Sequence, residues 1–151
     1  MTSSDDAQLP FLLVSAFRGL VDSVHAHLET VGFPGVRSTH GFAMQAIGDG
    51  CTGVELAHRL GVSKQAAAKT AAALEEMGFI SREPSTADRR ERILRPTDRG
   101  REMLRLSGEA FRREVGAWRA RLGDGPVDAT VATLAAAARG HSAIDPDGWG
   151  G

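Results

Sequence analysis

The sequence predicts a mainly α-helical fold with one small β-hairpin. Apolar residues recur at three- and four-residue spacing along most of the 151 positions, which is typical of amphipathic helices. The period changes after Gly78, where two short apolar-to-polar runs enclose a loop. Just before that loop, two helices are separated by a very short turn, as in a helix-turn-helix unit. A length within the usual range of roughly 100–200 residues favours a single domain.

The composition is that of an intracellular globular protein. Hydrophobic residues make up 42% of the chain, and since about 70% of the unfolded surface can be buried at this length, no metal or disulfide is required. Cys51 is the only cysteine, and no charged-then-apolar leader opens the chain, so a cytoplasmic location is expected. The longest uninterrupted apolar run, 11–14, is far shorter than the ~20 residues of a membrane span. No membrane partner is therefore expected.

Two helices are predicted before residue 50. An apolar stripe indicates a first helix over about 10–30, which ends before Gly32. Ser38 or Thr39 can cap a second, short helix that runs to about Ile47.

The next two helices form the predicted helix-turn-helix. Thr52 and Glu55 have the spacing of a capping box, so a third helix begins at Thr52 and ends at Gly61. After a tight turn, an alanine-rich fourth helix covers 64–77, and Gly78 ends it.

A hairpin and two more helices complete the chain. The runs 79–82 and 93–96 are the predicted strands of the hairpin. A long helix then extends from 97 or 98 to about 122, and a last helix covers 126–139.

The fourth helix offers polar and small side chains opposite its apolar face. A helix fits the major groove of DNA, where Gln can pair with adenine, Lys with guanine or phosphate, and an alanine methyl can contact thymine. The alternative is an ordinary helical hairpin buried in a bundle. The predicted DNA-contacting residues of this helix are Ser63, Lys64, Gln65, Ala66, Lys69 and Thr70.

The charge pattern points to a second DNA-contacting element, the loop of the hairpin. The net charge is only −1, but residues 89–105 contain seven arginines and three carboxylates. Arg89, Arg90 and Arg92 lie at the tip of the loop, where a planar, weakly hydrated cation suits the minor groove or a phosphate. Asp88 is predicted to brace this wing, and a plain surface ion pair is the alternative.

Several short motifs follow one another between residues 52 and 100. They are Glu55-Leu56-Ala57, Val62-Ser63, Leu74-Glu75, Gly78-Phe79-Ile80, Arg82, Asp88-Arg89-Arg90 and Thr97-Asp98-Arg99-Gly100. In this order they resemble the MarR family of bacterial winged-helix transcription regulators. The resemblance implies a homodimer on palindromic double-stranded DNA, with the fourth helix in the major groove and Arg90 in the minor groove. It also implies a repressor that a small aromatic or anionic effector releases.

The chain departs from the family pattern at two places. Alanines replace several polar residues on the fourth helix, and Pro96 stands where relatives commonly have an aliphatic residue. A proline removes a ladder donor but is tolerated at a strand edge.

The flanking helices predict a dimer without reference to the family. They bring more apolar surface, including Phe17, Phe111 and Trp118, than a winged helix of about 50 residues can cover. Packing within one subunit is the alternative. The predicted parts are a flexible N-terminus (1–8), one domain (9–139) with a winged helix (about 36–100) and dimerisation helices (about 10–30 and 97–139), and a flexible tail (140–151).

An effector cleft is expected between the dimerisation helices and the winged helix. Its candidate contacts are His40, Met44 and Phe17, and a histidine there could bind an anion or titrate near neutral pH. Cys51, which precedes a helix N-terminus, suggests a redox-responsive regulator as an alternative.

No enzymatic motif is recognised. The sequence has no glycine-rich phosphate loop, no paired cysteines or metal-ligand cluster, and no Gly-x-Ser-x-Gly elbow. We therefore expect neither catalysis nor a metal or cofactor. A winged helix that binds a protein instead of DNA remains the alternative from a different class.

Overall fold

The computed structural model describes residues 5–141. Residues 1–4 and 142–151, which belong to the two termini expected to be flexible, lie outside the described residues. Within 5–141 the elements are a short 3-10 turn (Asp6–Gln8), α1 (Leu9–Thr30), α2 (Ser38–Ile47), β1 (Cys51–Thr52), α3 (Gly53–Leu60), α4 (Lys64–Glu76), β2 (Ile80–Pro84), β3 (Arg92–Pro96), α5 (Asp98–Leu122) and α6 (Asp124–Ala138). The predicted mainly helical fold with a hairpin wing is confirmed.

The start of α2 differs from the prediction. Arg37, not Ser38 or Thr39, is the N-cap residue. The Nδ1 atom of His40 accepts a hydrogen bond from the Arg37 backbone N–H at 3.0 Å. The imidazole thus takes the place of the Glu or Gln side chain of an ordinary capping box. Histidine is not a usual residue for this role, and the sequence pattern therefore missed it.

A third strand extends the hairpin into a small sheet with the order β1-β3-β2. Cys51 and Thr52 pair antiparallel with Leu94 and Ile93, and two residues are too few to show a strand period in the sequence. Pro96 lies at the last position of β3, beyond the residues that pair with β1. Its missing N–H is tolerated there, as expected.

The hydrophobic core lies where the winged helix meets α1 and α5. Its largest fully buried side chains come from seven elements or their connections, so one continuous core packs the helix-turn-helix against the long helices. They are Val24, Leu28, Met44, Ile47, Leu56, Leu74, Phe79, Leu94 and Met103.

The N-terminal turn of α5 packs closely against the end of α4. We call this contact the α5 joint, and it consists of Thr97, Arg99 and Gly100 on one side and Gly78 and Phe79 on the other. The Thr97 hydroxyl accepts from the Gly100 N–H at 3.1 Å and donates to the Gly78 carbonyl at 2.5 Å. A Cβ atom at Gly100 would overlap the Phe79 carbonyl and lie 2.8 Å from Met44 Cε. Only glycine fits this position without a shift of backbone.

The N-terminal half of α1 is largely uncovered. Phe11 is 75% exposed and Leu12 is 58% exposed, whereas Val24 and Leu28 near the other end are in the core. Among the described residues, the helical stretch Asp6–Thr30, which joins the 3-10 turn to α1, is long and apolar enough to span a membrane by length and composition, with a mean hydropathy of 1.2. The expectation of no membrane span considered only uninterrupted apolar runs, and such runs miss this stretch because polar residues are scattered through it. One such helix is weak evidence for a membrane span.

Candidate nucleic-acid interface

Local capping shapes the helix-turn-helix. The Thr52 hydroxyl accepts from the Glu55 N–H at 3.1 Å, and the Glu55 carboxylate accepts from the Thr52 N–H at 3.4 Å, which completes the predicted capping box. Gly61 ends α3 with a left-handed φ of 66°, a conformation that favours glycine. The Ser63 hydroxyl then accepts from the Ala66 N–H at 3.1 Å and starts α4.

The two faces of α4 differ in exposure. Ala67, Ala71 and Leu74 are buried, and the small side chains on this face let α4 lie close to Ala57 of α3. The predicted contact residues occupy the other side: Ser63, Lys64, Gln65, Ala66 and Lys69 are exposed, and Thr70 is half-buried.

The wing is a loop held by its own backbone and short polar side chains. The Asp88 carboxylate accepts from the Arg90 N–H at 2.9 Å, which is the geometry expected of a bracing residue. The Ser85 hydroxyl accepts from the N–H groups of Ala87 and Asp88 at 3.2 and 3.3 Å. These bonds present Arg89 and Arg90 on the outside of the turn, where both are exposed.

A groove of about 280 Å³ separates α4 from the wing. Lys64 and Ala68 line it from α4, and Arg82, Arg90 and Arg92 line it from the sheet and the loop. Three of the predicted DNA-contacting cations therefore share one concave surface. Gln65, Lys69 and Arg89 do not line the groove and lie exposed beside it.

Ion pairs divide the basic side chains into two groups. Arg82, Arg95 and Arg105 pair with carboxylates, the shortest contact of each measuring 3.2, 2.7 and 2.6 Å, respectively. The predicted DNA-contacting cations form no salt bridge with any carboxylate among residues 5–141; they are Lys64, Lys69, Arg89, Arg90 and Arg92. Of these, Lys64, Arg90 and Arg92 line the groove together with one carboxylate, Glu91, and this excess of unpaired cations favours an anionic ligand.

The structure adds Arg82 to the groove, a residue that sequence reasoning used only as a family motif. Arg82 reaches the groove because β2 pairs it with Leu94, itself a groove residue, and because Glu75 of α4 holds its guanidinium at 3.2 Å. Strand register decides this position. The only sequence signal was a basic residue at the end of the predicted strand 79–82.

The three expected effector contacts do not meet in one cavity. Met44 is 1% exposed and belongs to the core, so a ligand does not reach it without disrupting packing. The His40 ring is engaged as the acceptor at the start of α2. Phe17 stacks on Phe42 at 5.9 Å between ring centroids, and it faces a different groove from the cavity described next.

A cavity of about 280 Å³ does lie between α1, α2 and α5. Its wall is mostly apolar, and His25, Arg37 and Ser38 are among its polar side chains. Burial lowers the pKa of His25, although Asp22 and Glu29 oppose the shift. The lining residues are Val21, Val24, His25, Val36, Arg37, Ser38, Gly41, Phe42, Met103, Ser107, Gly108, Phe111 and Arg112.

A second, larger groove of about 520 Å³ runs between α1, α5 and α6. Apolar side chains line it, among them Leu13, Phe17, Trp118, Leu122 and Val131. Leu122 and Val131 are 54% and 56% exposed. The expected excess of apolar surface on the flanking helices is therefore present in the structure.

Cys51 lacks the features of a reactive thiol. Its side chain is buried in β1, and burial raises the pKa of the thiol, while Arg59 opposes this only in part. The position of Cys51 before a helix suggested a thiol with a lowered pKa, but the effect of burial, which raises the pKa, is larger.

Comparisons with known proteins agree with this architecture. The MarR family model matches residues 48–91, which hold α3, α4, β2 and the wing loop. A comparison with curated proteins gives no match.

Solved structures resemble the chain over almost its whole length. A MarR-family transcriptional regulator from Rhodococcus sp. RHA1 has a TM-score of 0.67 and 19% identity, covering 93% of this chain and 99% of that chain. FabT from Streptococcus pneumoniae, solved in complex with DNA, has a TM-score of 0.71 and 21% identity, covering 87% and 93%. The transcriptional repressor CouR, bound to a 23-mer DNA duplex, has a TM-score of 0.69 and 23% identity, covering 91% and 100%.

The fold and the groove define a winged helix-turn-helix protein. Within that class, the predicted resemblance to the MarR family is confirmed by the family-model match and the shared fold.

Proposed function

We propose that this protein is a double-stranded-DNA-binding transcriptional regulator. One observation carries the proposal: Lys64, Arg90 and Arg92 surround one groove beside a capped helix-turn-helix and pair with no carboxylate among residues 5–141. A helix of this kind fits the major groove, and a neighbouring arginine loop suits the minor groove. The MarR-family match and the DNA complexes of FabT and CouR support the same assignment.

The proposed active form is a cytoplasmic homodimer on a palindromic operator. A second copy would cover the apolar groove between α1, α5 and α6 and the exposed N-terminal half of α1. Two-fold symmetry then presents two α4 helices to half-sites about 34 Å apart on one face of the duplex. Burying this face against a copy also explains an apolar α1 without a membrane. Sedimentation velocity tests the dimer, and a monomer at micromolar concentration would contradict it.

We further propose repression that a small aromatic or anionic effector relieves. The family resemblance supports this mode of action. The solved structure of the transcriptional repressor CouR on DNA supports repression. The cavity between α1, α2 and α5 is the proposed site, in place of the scattered residues Phe17, His40 and Met44. Its apolar wall suits a ring, and Arg37 and Ser38 suit a carboxylate or another anion.

The deciding experiment is selection of bound sequences from a random duplex pool with the purified full chain at two salt concentrations. We expect enrichment of a palindrome with half-sites about one helical turn apart and an affinity that falls with salt at a log–log slope of about −0.9 per neutralised phosphate. Weak binding at low salt with no enrichment would contradict the proposal. That result would favour a protein-binding winged helix, which the alanine-rich face of α4 supports best.

The redox alternative has a separate test. Hydrogen peroxide should leave operator binding unchanged, because burial keeps the Cys51 thiol protonated. A peroxide response that Cys51→Ser abolishes would establish the redox-responsive regulator instead.

A further inference from the structure

Arg99, at the N-terminal turn of α5, ties three parts of the chain together. Its Nε donates to the Met77 carbonyl at the end of α4 at 3.2 Å. Its Nη2 donates to the Gly32 carbonyl in the loop after α1 at 3.1 Å. The guanidinium carbon lies 4.5 Å from the centroid of the Phe33 ring and 5.6 Å from that of Phe79. One side chain thus contacts the loop after α1, the end of α4 and Phe79, the residue that precedes β2.

Helix preferences do not explain a cation at this position. The N-terminal turn of a helix carries partial positive charge, so an arginine in the first turn of α5 is unfavourable for that helix. The end of α4 carries partial negative charge, and there the guanidinium meets the Met77 carbonyl. Arg99 pairs with no carboxylate among residues 5–141. Its contacts are instead carbonyls and aromatic faces that belong to other elements.

We propose that Arg99 is a positioning residue that sets the spacing of the two DNA half-sites. The inference rests on the proposed function, in which α1 and α5 hold the dimer and α4 enters the groove. The distance between the two α4 helices is then fixed by how rigidly each is joined to α1 and α5. Arg99 makes that joint with a planar fork of donors, a geometry that lysine does not reproduce. Two of its nitrogens already donate to backbone carbonyls of the protein, so we expect no phosphate contact from this exposed side chain.

The test compares Arg99→Lys with Arg101→Lys on the best duplex from the selection. Lys keeps the charge and loses the fork, and Arg101 is an exposed arginine on the same helix with no side-chain bond to residues 5–141. Each protein is titrated with the selected duplex and with versions carrying one base pair more or less between half-sites. One base pair shifts a half-site by about 3.4 Å and rotates it by about 35°.

The expected result is a loss of spacing discrimination in Arg99→Lys alone. The ratio of affinities between the selected and the shifted duplexes should fall about fivefold, since two hydrogen bonds are lost. The slope of affinity against salt should stay unchanged, because no phosphate contact is removed. Phe33→Leu, which removes the closer ring and keeps an apolar side chain, should relax the spacing in the same direction. An unchanged ratio in a folded, dimeric Arg99→Lys would overturn the proposal, whatever happens to overall affinity.

A DNA-independent measurement separates this inference from the proposed function. Amide hydrogen exchange of Arg99→Lys should quicken at the Phe33 and Phe79 N–H groups, which bond to the Leu28 and Leu74 carbonyls, relative to Arg101→Lys. If the wild type selects no duplex, the proposed function fails. The hydrogen-exchange rates of these two amides then test whether Arg99 stabilises the α5 joint. Unchanged exchange rates at both amides would show that Arg99 does not stabilise the backbone around Phe33 and Phe79.

Discussion

The α5 joint and the wing use the same residue type in opposite ways. Arg99 and Arg90 belong to one basic stretch, and both are exposed. Arg99 donates to two backbone carbonyls and lies over two rings, whereas the Arg90 side chain lines an open groove and pairs with no carboxylate among residues 5–141. Positive charge counted along the sequence therefore mixes side chains that hold the fold with side chains that remain available to a ligand.

The difference arises from the neighbouring backbone. At the joint, the ends of α4 and of the loop after α1 present carbonyls that have no helical partner, and a guanidinium can satisfy them. At the wing, Asp88 and Ser85 satisfy loop amides, which leaves the arginine side chains out of the internal bonding.

The largest effect is expected at the joint from Gly100→Ala. The new Cβ would overlap the Phe79 carbonyl, so backbone must move, at a cost of about 3 kcal/mol or more in the free energy of unfolding. Urea unfolding measures the change. Gly116→Ala is the matched control, because nothing lies within 4 Å of its Cβ position on the same helix. The control should gain about 0.5–1 kcal/mol, and equal effects in the two variants would refute the close-approach argument.

On the wing side, Arg90→Ala should weaken operator binding by about 1–3 kcal/mol and leave the urea midpoint unchanged. The reason is that Arg90 faces the groove and makes no side-chain bond that supports the fold. Fluorescence anisotropy with the selected duplex measures the affinity. Arg105→Ala is the control, since Glu102 and Glu109 already hold that guanidinium on α5, and it should bind DNA as the wild type does. Unchanged affinity in Arg90→Ala would remove Arg90 from the interface.

Two substitutions on α4 distinguish contact to bases from contact to phosphates. Lys64→Ala and Gln65→Ala should change which bases are preferred, by about 1–3 kcal/mol at the positions these side chains read. Repeating the selection with each variant measures the preference. A uniform loss of affinity across all sequences would instead identify them as phosphate contacts.

The smallest effect is expected at His40, whose side chain, like that of Arg99, makes a hydrogen bond to the backbone. Burial, aided by Arg37 and His25, lowers the pKa of His40 below its ordinary value of 6.5. The unfolded chain therefore binds the proton more readily, so this part of the stability is present above pH 6.5 and is lost as the pH falls below it. Gln at this third position of α2 can still accept from the Arg37 N–H but does not titrate.

Urea midpoints measured from pH 7.5 to pH 5 compare the wild type with His40→Gln. The variant should lose less stability over the acid part of the range, by a modest amount of about 0.5–1 kcal/mol, since the imidazole is only half-buried. Parallel curves for the two proteins would show that His40 does not contribute to the acid sensitivity.

Local sequence is enough to encode the helices and the caps of the helix-turn-helix. Thr52, Glu55, Gly61 and Ser63 act on residues within four positions of themselves, so neighbours along the chain encode their geometry. The exposure of Lys64 follows for the same reason, because the helical period places buried alanines on the opposite side. These local rules were enough to predict the fold class and the polar face of α4.

Which distant groups meet depends on the packing of elements that are far apart in the chain. The pairing of Cys51 with Leu94, the entry of Arg82 into the groove, and the burial of Met44 all depend on how separate elements pack. The same holds for Arg99, which bonds to Gly32 across the fold. A periodic pattern records that a side chain faces inward or outward, and it does not record what lies opposite. For that reason the pattern could not show that the residues predicted to contact an effector lie apart. It also could not show which arginines bond within the protein and which remain available to a ligand.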